Sequence, residues 1–192
     1  QVVVIPIYKT DTVSSKVLES ANQIKGELSS AGIRVKVDAR EEITPGYKFN
    51  DWEMRGVPLR IEIGPRDIIN DTITLSRRDI PGKDGKFYVS RNLLVSQVMT
   101  TLTNIQNNLL DRATAFRDSH IFHPKVYGEF IEVLQNGWAF SFWCGSTECE
   151  QKVKEETKAT IRCIPLDMQD DCGPCIVCGQ NSYRKAYFSK AY

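Results

Sequence analysis

Six cysteines lie in the last quarter of the chain, at Cys144, Cys149, Cys163, Cys172, Cys175 and Cys178, and the first 143 residues contain none. They form two tight groups, Cys144-Gly-Ser-Thr-Glu-Cys149 and Cys172-Gly-Pro-Cys175-Ile-Val-Cys178-Gly179. Short-spaced pairs of this kind bring two thiolates onto one tetrahedral ion from a single backbone knuckle. Gly145 and Gly179 suit such knuckles, where the chain turns sharply so that amide N–H groups point at sulfur. The pattern divides the chain into a cysteine-free front and a metal-stapled back.

Four ligands are needed, and the spacing favours Cys144, Cys149, Cys175 and Cys178 on zinc, with Cys172 as the alternative to Cys175. Cys163 sits in the apolar run Ala159-Thr-Ile-Arg-Cys-Ile164 and is expected to be a buried core thiol. A redox-active Cys-x-x-Cys needs a strand-to-helix setting, and Gly179-Gln180-Asn181 does not open a helix. An iron–sulfur cluster asks for a cysteine where the chain has Ser182. With every position filled by thiolate the zinc is structural, since no site is left for water. His120 and His123 flank an apolar pair ahead of Pro124 and read as linker residues.

Net charge is +1, so any nucleic-acid partner must be recognised through local patches rather than bulk basicity. No apolar run approaches the roughly 20 residues of a membrane span. The chain opens directly in the apolar strand Gln1–Tyr8, without Met or signal peptide, as expected of a piece of a longer cytoplasmic protein. In that setting clustered cysteines favour metal over disulfides.

Val13, Val17, Ala21, Ile24, Leu28 and Ala31 make one helical face over 11–31, capped by Asp11 or Ser14 and closed by Gly32. Ile33–Asp38 alternates as a strand, so strand, helix and strand form a crossover joining two parallel strands. A short helix over 47–55 precedes a strand at Leu59–Ile63, with Leu59, Ile61 and Ile63 inward and Arg60 and Glu62 on the other face. Gly64-Pro-Arg-Asp67 reads as a turn, and 72–77 with 86–89 as a hairpin around Asp84-Gly85. Ser90 is expected to cap a long helix reaching about His120, striped by Leu94, Val98, Leu102, Ile105, Leu109, Ala113 and Phe116. Behind it, 126–133 and 138–143 are strands or short helices, 147–158 is a charged helix, and 160–164 and 186–192 are strands. The fold class is α/β, with a mixed-sheet domain at 1–105, a helical connector at 106–122 and a small zinc-binding α/β domain at 123–192.

The stretch Lys48–Asp67 crowds Glu53, Arg55, Arg60, Glu62, Arg66 and Asp67 beside Tyr47, Phe49 and Trp52. Carboxylates and guanidiniums so placed can read base edges, while exposed aromatics stack on unpaired bases. The bland reading of the same residues is a solvated surface with ion pairs and a buried Trp.

Gly56-Val-Pro-Leu-Arg60 running into Gly64-Pro-Arg-Asp67, with Arg77-Arg-Asp79 beyond, resembles the anticodon-binding domain of class II aminoacyl-tRNA synthetases. Val126–Phe130, the two cysteine groups, Cys163-Ile-Pro165 and the ending Ser-Lys-Ala-Tyr192 are similar to archaeal and eukaryotic-type prolyl-tRNA synthetases. The resemblance implies recognition of tRNA(Pro) through the two guanines shared by proline anticodons. Glu53, Arg60 and Asp67 match the reading positions, Arg66 and Arg78 suit phosphate contacts or supporting ion pairs, and Lys83 is a weaker match because its loop departs in spacing. It further implies a homodimeric parent enzyme that joins L-proline to tRNA(Pro) with ATP. Proline and ATP would bind a separate catalytic domain preceding Gln1, onto which the connector and tail pack and toward which Tyr192 reaches. The fragment alone is then inactive. Two other classes compete: a free-standing accessory subunit that uses the α/β fold for protein contacts, and a thiol–disulfide or metal-dependent enzyme built on the tail.

Overall fold

The structure is a computed structural model describing residues 1–8, 11–166 and 171–191, with residues 11–14 described by backbone alone. The capping roles expected of Asp11 and Ser14, and the reach of Tyr192, lie outside the described residues. The chain divides into two compact units, Gln1–Asp111 and Arg112–Tyr192.

The first unit is a five-stranded mixed sheet with helices. Its elements are β1 (Val2–Pro6), α1 (Asp11–Ser30), β2 (Val35–Val37), α2 (Pro45–Met54), β3 (Leu59–Ile63), α3 (Pro65–Ile69), β4 (Thr72–Arg77), β5 (Lys86–Ser90) and most of α4 (Leu94–Ser119). The strand order is β2-β1-β3-β4-β5. β1 runs parallel to β2 and β3, and β3, β4 and β5 are antiparallel. Every residue of β1 is buried, which explains its unbroken Val/Ile run: a parallel strand covered on both faces needs no alternation. Val17, Ala21, Ile24 and Leu28 of α1 pack with Leu59, Ile61, Ile63, Ile73 and Leu75 and with Leu94, Val98 and Ile105 of α4. Gly32, at φ +80°, ends α1 in the left-handed region that glycine enters without a Cβ clash.

Four local expectations change. β2 keeps only three residues of the expected strand. The expected turn at Gly64–Asp67 opens the short helix α3, because Pro65 is preset for a first helical position and the Asp67 carboxylate accepts from Gly64 N–H at 2.8 Å. Ser90 makes no side-chain cap, and a 3₁₀ turn, Arg91–Leu93, precedes α4. The α4 stripe is buried at Leu94, Val98 and Ile105 and half-buried at Leu102, but Leu109 and Phe116 are exposed, because the apolar cluster over the sheet ends at Ile105.

The second unit is a four-stranded sheet of order β6-β7-β11-β8, from β6 (Ile121–Phe122), β7 (Trp138–Phe142), β8 (Ala159–Cys163) and β11 (Lys185–Lys190). β6 and β7 are parallel, and β11 is antiparallel to both β7 and β8. Helices α5 (Tyr127–Val133) and α6 (Thr147–Thr157) supply Phe130 and Val153 to a core shared with Ala139, Ala159, Ala186 and Phe188. Phe130 meets Phe188 edge to face, ring centroids 5.2 Å apart. A two-stranded ribbon, β9 (Gly173–Pro174) with β10 (Asn181–Ser182), carries the second cysteine group. Cys163 is exposed, not the buried core thiol expected. A register shift at Tyr187/Phe188 sets Ile161 opposite the buried Phe188 but Cys163 opposite Tyr187, so the strand changes face between them. No helix among the described residues is long and apolar enough to cross a membrane.

Two glycines give opposite expectations. A Cβ on Gly85 would stand 2.1 Å from the Ile80 carbonyl oxygen and 3.0 Å from that of Arg77, both backbone. Gly85→Ala should therefore cost about 1–3 kcal/mol. Gly26, exposed within α1 with nothing near its Cβ position, should gain roughly 0.5–1 kcal/mol as Gly26→Ala. Urea midpoints of the two variants check both signs.

Candidate nucleic-acid interface and metal centre

Alternation along β3, β4 and β5 sends Leu59, Ile61, Ile63, Ile73 and Leu75 into the core and turns a polar row to the opposite face. The register sets Arg60 opposite Ser76, Glu62 opposite Thr74, Thr74 opposite Tyr88 and Ser76 opposite Lys86. Opposed residues share a face, so these side chains form one polar surface. Phe49 of α2 lies beneath the Arg60 guanidinium, 4.0 Å from carbon to ring centroid.

Arg60 gathers this surface. Its Nη1 donates to Glu53 Oε1 at 2.7 Å, its Nε to Glu62 Oε1 at 3.1 Å and its Nη2 to Ser76 Oγ at 3.0 Å. Lys86 Nζ donates to the other Glu62 oxygen at 2.6 Å. Glu62 shares the outer face as expected yet is only 4% exposed, because the two cations roof it. Arg78 Nε donates to the Glu53 carbonyl oxygen at 3.2 Å. Asp67 caps α3 and accepts from Thr74 Oγ1 at 3.4 Å. The structure thus joins Glu53, Arg60 and Arg78 and sets Asp67 beside the next register pair. Arg66 on α3 and Lys83 in the β4–β5 connection are exposed and stand outside that cluster. Sequence reasoning missed Ser76, Lys86 and the exposed Tyr88. Their signal was the hairpin register, which puts them on the face of Arg60 and Glu62.

A second cluster lies at the end of β2. Arg40 grips Asp38 through Nε at 2.8 Å and Nη2 at 2.7 Å, and Trp52 Nε1 donates to Asp38 Oδ2 at 2.8 Å. Arg40's hydrogen bonds above all, helped by that of Trp52, hold the Asp38 carboxyl well below the usual carboxylate range. Lys48, buried, donates to the Asp38 carbonyl oxygen at 3.2 Å, and burial lowers its ammonium. Lys36 and Arg55 stand over the Trp52 ring, at 5.2 and 5.1 Å. Trp52 is therefore no open stacking platform. Among the described residues of the first unit, Tyr47 and Tyr88 carry the exposed rings.

In the second unit one ligand atom from each of Cys144, Cys149, Cys175 and Cys178 lies within 4.8 Å of all the others. Cys144 follows β7, Cys149 sits in the first turn of α6, and the other two close a tight turn. Ser146 caps α6, its hydroxyl accepting from Cys149 N–H at 3.2 Å. Gly179 N–H donates to the Cys175 carbonyl oxygen at 2.8 Å, and Cys175 N–H to that of Gln180 at 2.8 Å. Burial pushes the Cys175 thiol up, but backbone N–H groups of Cys178, Val177 and Cys144 hold it at about 7. Burial pushes Cys149 up to about 12 against the Ser146 hydroxyl, with Cys144 and Cys178 adding to the rise. Sulfurs on a tetrahedral ion at about 2.3 Å stand about 3.8 Å apart, and Cys144 and Cys149 are at 3.6 Å. The four residues fit a metal ion. Cys163 and Cys172 are exposed and outside the group.

A mixed sheet with a polar, aromatic-flanked face thus precedes a small unit with four clustered cysteines. Residues 1–99 match the family described as "Anticodon binding domain", and the chain belongs to that family. Residues 127–192 match the family described as "Prolyl-tRNA synthetase, C-terminal". Along its whole length the chain is 44% identical to the "Proline--tRNA ligase" of Chloroflexus aggregans, of which it covers 40%. It is 45% identical to the "Proline--tRNA ligase, chloroplastic/mitochondrial" of Arabidopsis thaliana, covering 36%, and 40% identical to the Flavobacterium johnsoniae "Proline--tRNA ligase", covering 39%. The chain thus spans about two fifths of these relatives.

Because Asp38 titrates lower folded than unfolded, its contribution is complete above the ordinary carboxylate value near pH 4 and is lost as pH falls through the folded value. Urea midpoints should therefore fall more steeply below about pH 4 in the native chain than in Asp38→Asn.

Proposed function

We propose that this chain reads the anticodon of tRNA(Pro) and supports, within a longer prolyl-tRNA synthetase, the ATP-dependent attachment of L-proline. The observation that carries the reading is the Glu53–Arg60 pair, held over Phe49 on the polar sheet face of an anticodon-binding fold. A carboxylate accepts from both the ring N–H and the amino group on guanine's Watson–Crick edge, and a guanidinium offers donors to the O6/N7 edge. We assign Glu53, Arg60 and Asp67 to the two guanines, and Arg66, Arg78 and Lys83 to phosphates or supporting contacts. Our division of the chain is 1–105 for anticodon binding, 106–122 for the connector and 123–192 for the zinc-binding domain, with zinc on Cys144, Cys149, Cys175 and Cys178. The catalytic domain, the homodimer and a cytoplasmic setting belong to the same proposal. The archaeal and eukaryotic-type assignment gains no support from the relatives, which are bacterial and plant-organellar. What we keep of it is the order of domains.

Binding of a stem-loop bearing UGG, against one with both guanines replaced by adenine, tests the reading at fixed moderate salt, where phosphate contacts alone would bind both. We expect at least about tenfold preference, near 1.4 kcal/mol, abolished by Glu53→Ala or Asp67→Ala. Equal binding would move the function to protein contacts, the accessory-subunit reading. For the metal, chelation should unfold the second unit and leave the backbone protection of 1–91 largely intact in hydrogen exchange. A chelated tail that stays protected would remove the structural role.

A further inference from the structure

We propose that Glu62 and Lys86 are positioning residues, which hold the Arg60 guanidinium so that one carboxylate oxygen of Glu53 stays open to a guanine edge. The inference rests on the anticodon reading above and names the device that prepares it.

An arginine frequently meets a carboxylate fork to fork, with two parallel N–H bonds occupying both oxygens. This chain does so elsewhere. Arg91 reaches both oxygens of Glu27, at 2.7 and 2.6 Å, and Arg40 both oxygens of Asp38. Arg60 and Glu53 do not. Arg60 touches Glu53 through Nη1 alone and on Oε1 alone. The edge it would need for a fork is in use, because Nε is bound to Glu62 and Nη2 to Ser76. The Phe49 ring beneath the guanidinium restricts its remaining freedom to tilt.

Glu62 can hold that edge because it is itself held. Its side chain is 6% exposed on β3, and Lys86, two strands away on β5, takes its second oxygen. Two cations and two carboxylates thus alternate as Lys86–Glu62–Arg60–Glu53, with the free acceptor at the exposed end. Among the described residues no hydrogen bond engages Glu53 Oε2. Guanine's ring N–H and amino group need such an acceptor, and adenine has no matching pair of donors. Removing the charge of Glu62 weakens its hold on Arg60 Nε, which lets the guanidinium swing into a fork on Glu53 and closes the acceptor.

The test measures binding of the guanine and adenine stem-loops to the native chain, Glu62→Gln, Lys86→Gln and Lys86→Arg, each at several salt concentrations. We expect a guanine preference of about tenfold or more in the native chain, falling to about threefold or less in Glu62→Gln and Lys86→Gln. Adenine-loop affinity and the salt slope should stay unchanged, and Lys86→Arg should restore most of the preference. If Lys86 instead bound phosphate, its loss would weaken both loops alike and reduce the slope by about 0.7. The Arg60 Nε–H resonance gives a readout without RNA: slowly exchanging in the native chain, it should shift and exchange faster in Glu62→Gln. Should Glu62→Gln fail to fold, Lys86→Gln, on a partly exposed side chain, decides the matter. A native preference that survives both Gln variants overturns this inference alone. A native chain without preference overturns the anticodon reading and this inference with it.

Discussion

β3 pairs with β4 so that Arg60 faces Ser76 and Glu62 faces Thr74, and the candidate site follows from that register. Side chains alternate with a period of two, so a slip of one residue would carry Leu59, Ile61 and Ile63 to the outer face and bury the Arg60 row. The apolar side therefore fixes the polar side. Five large aliphatic residues from two strands pack against α1 and α4, each stabilising the core by about 1.5–3 kcal/mol, and together they leave little freedom for another pairing. The hairpin extends the constraint to β5, which is how Lys86 comes to meet a carboxylate two strands away.

The second unit solves a different problem. Its core, centred on Phe130, Phe188, Ala139 and Ala186, is small for a sheet with two helices. The cysteine group brings together the end of β7, the first turn of α6 and the turn after β9, whose neighbours Trp143, Val153, Ile176 and Val177 also join that core. Four thiolates within 4.8 Å would repel strongly without a cation. The opposed shifts of Cys175 and Cys149 express that tension: amide N–H groups favour charge on the first, while burial disfavours it on the second. A divalent ion held by all four would resolve it by taking charge from each, and its binding would then be linked to folding.

What the sequence revealed depended on range. The parallel β1–β2 pair, the long helices and the cysteine group followed from periodicity and spacing, which are local signals. Cys163 did not, because its exposure turns on a register shift against Tyr187, far away in the chain. The α4 stripe failed at Leu109 and Phe116 for a similar reason: periodicity shows which face is apolar but not how far the sheet beneath it extends. In the candidate site, Glu53, Arg60 and Asp67 were legible through family resemblance. Lys86 and Ser76 needed the strand register, and Glu62, visible on the correct face, gave no sign that it would be nearly inaccessible.

Trp52 and Phe49, three residues apart on α2, show why residue type alone did not locate the candidate surface. Both lie beside cations, and either looks suited to stacking on a base. Trp52, however, spends its indole N–H on Asp38 and has Lys36 and Arg55 over its ring, so it serves the ion-pair cluster at the end of β2. Phe49 has no polar atom and lies under Arg60, which turns a flexible guanidinium into a fixed plane. With a net charge of only +1, the chain has little long-range attraction for RNA in general. The proposed discrimination between RNAs would then come from short-range groups ordered before the RNA arrives, since ordering them on binding would cost conformational entropy at that moment. The Lys86–Glu62–Arg60–Glu53 series is such an arrangement, with its bonds made in advance and one acceptor left over at the surface.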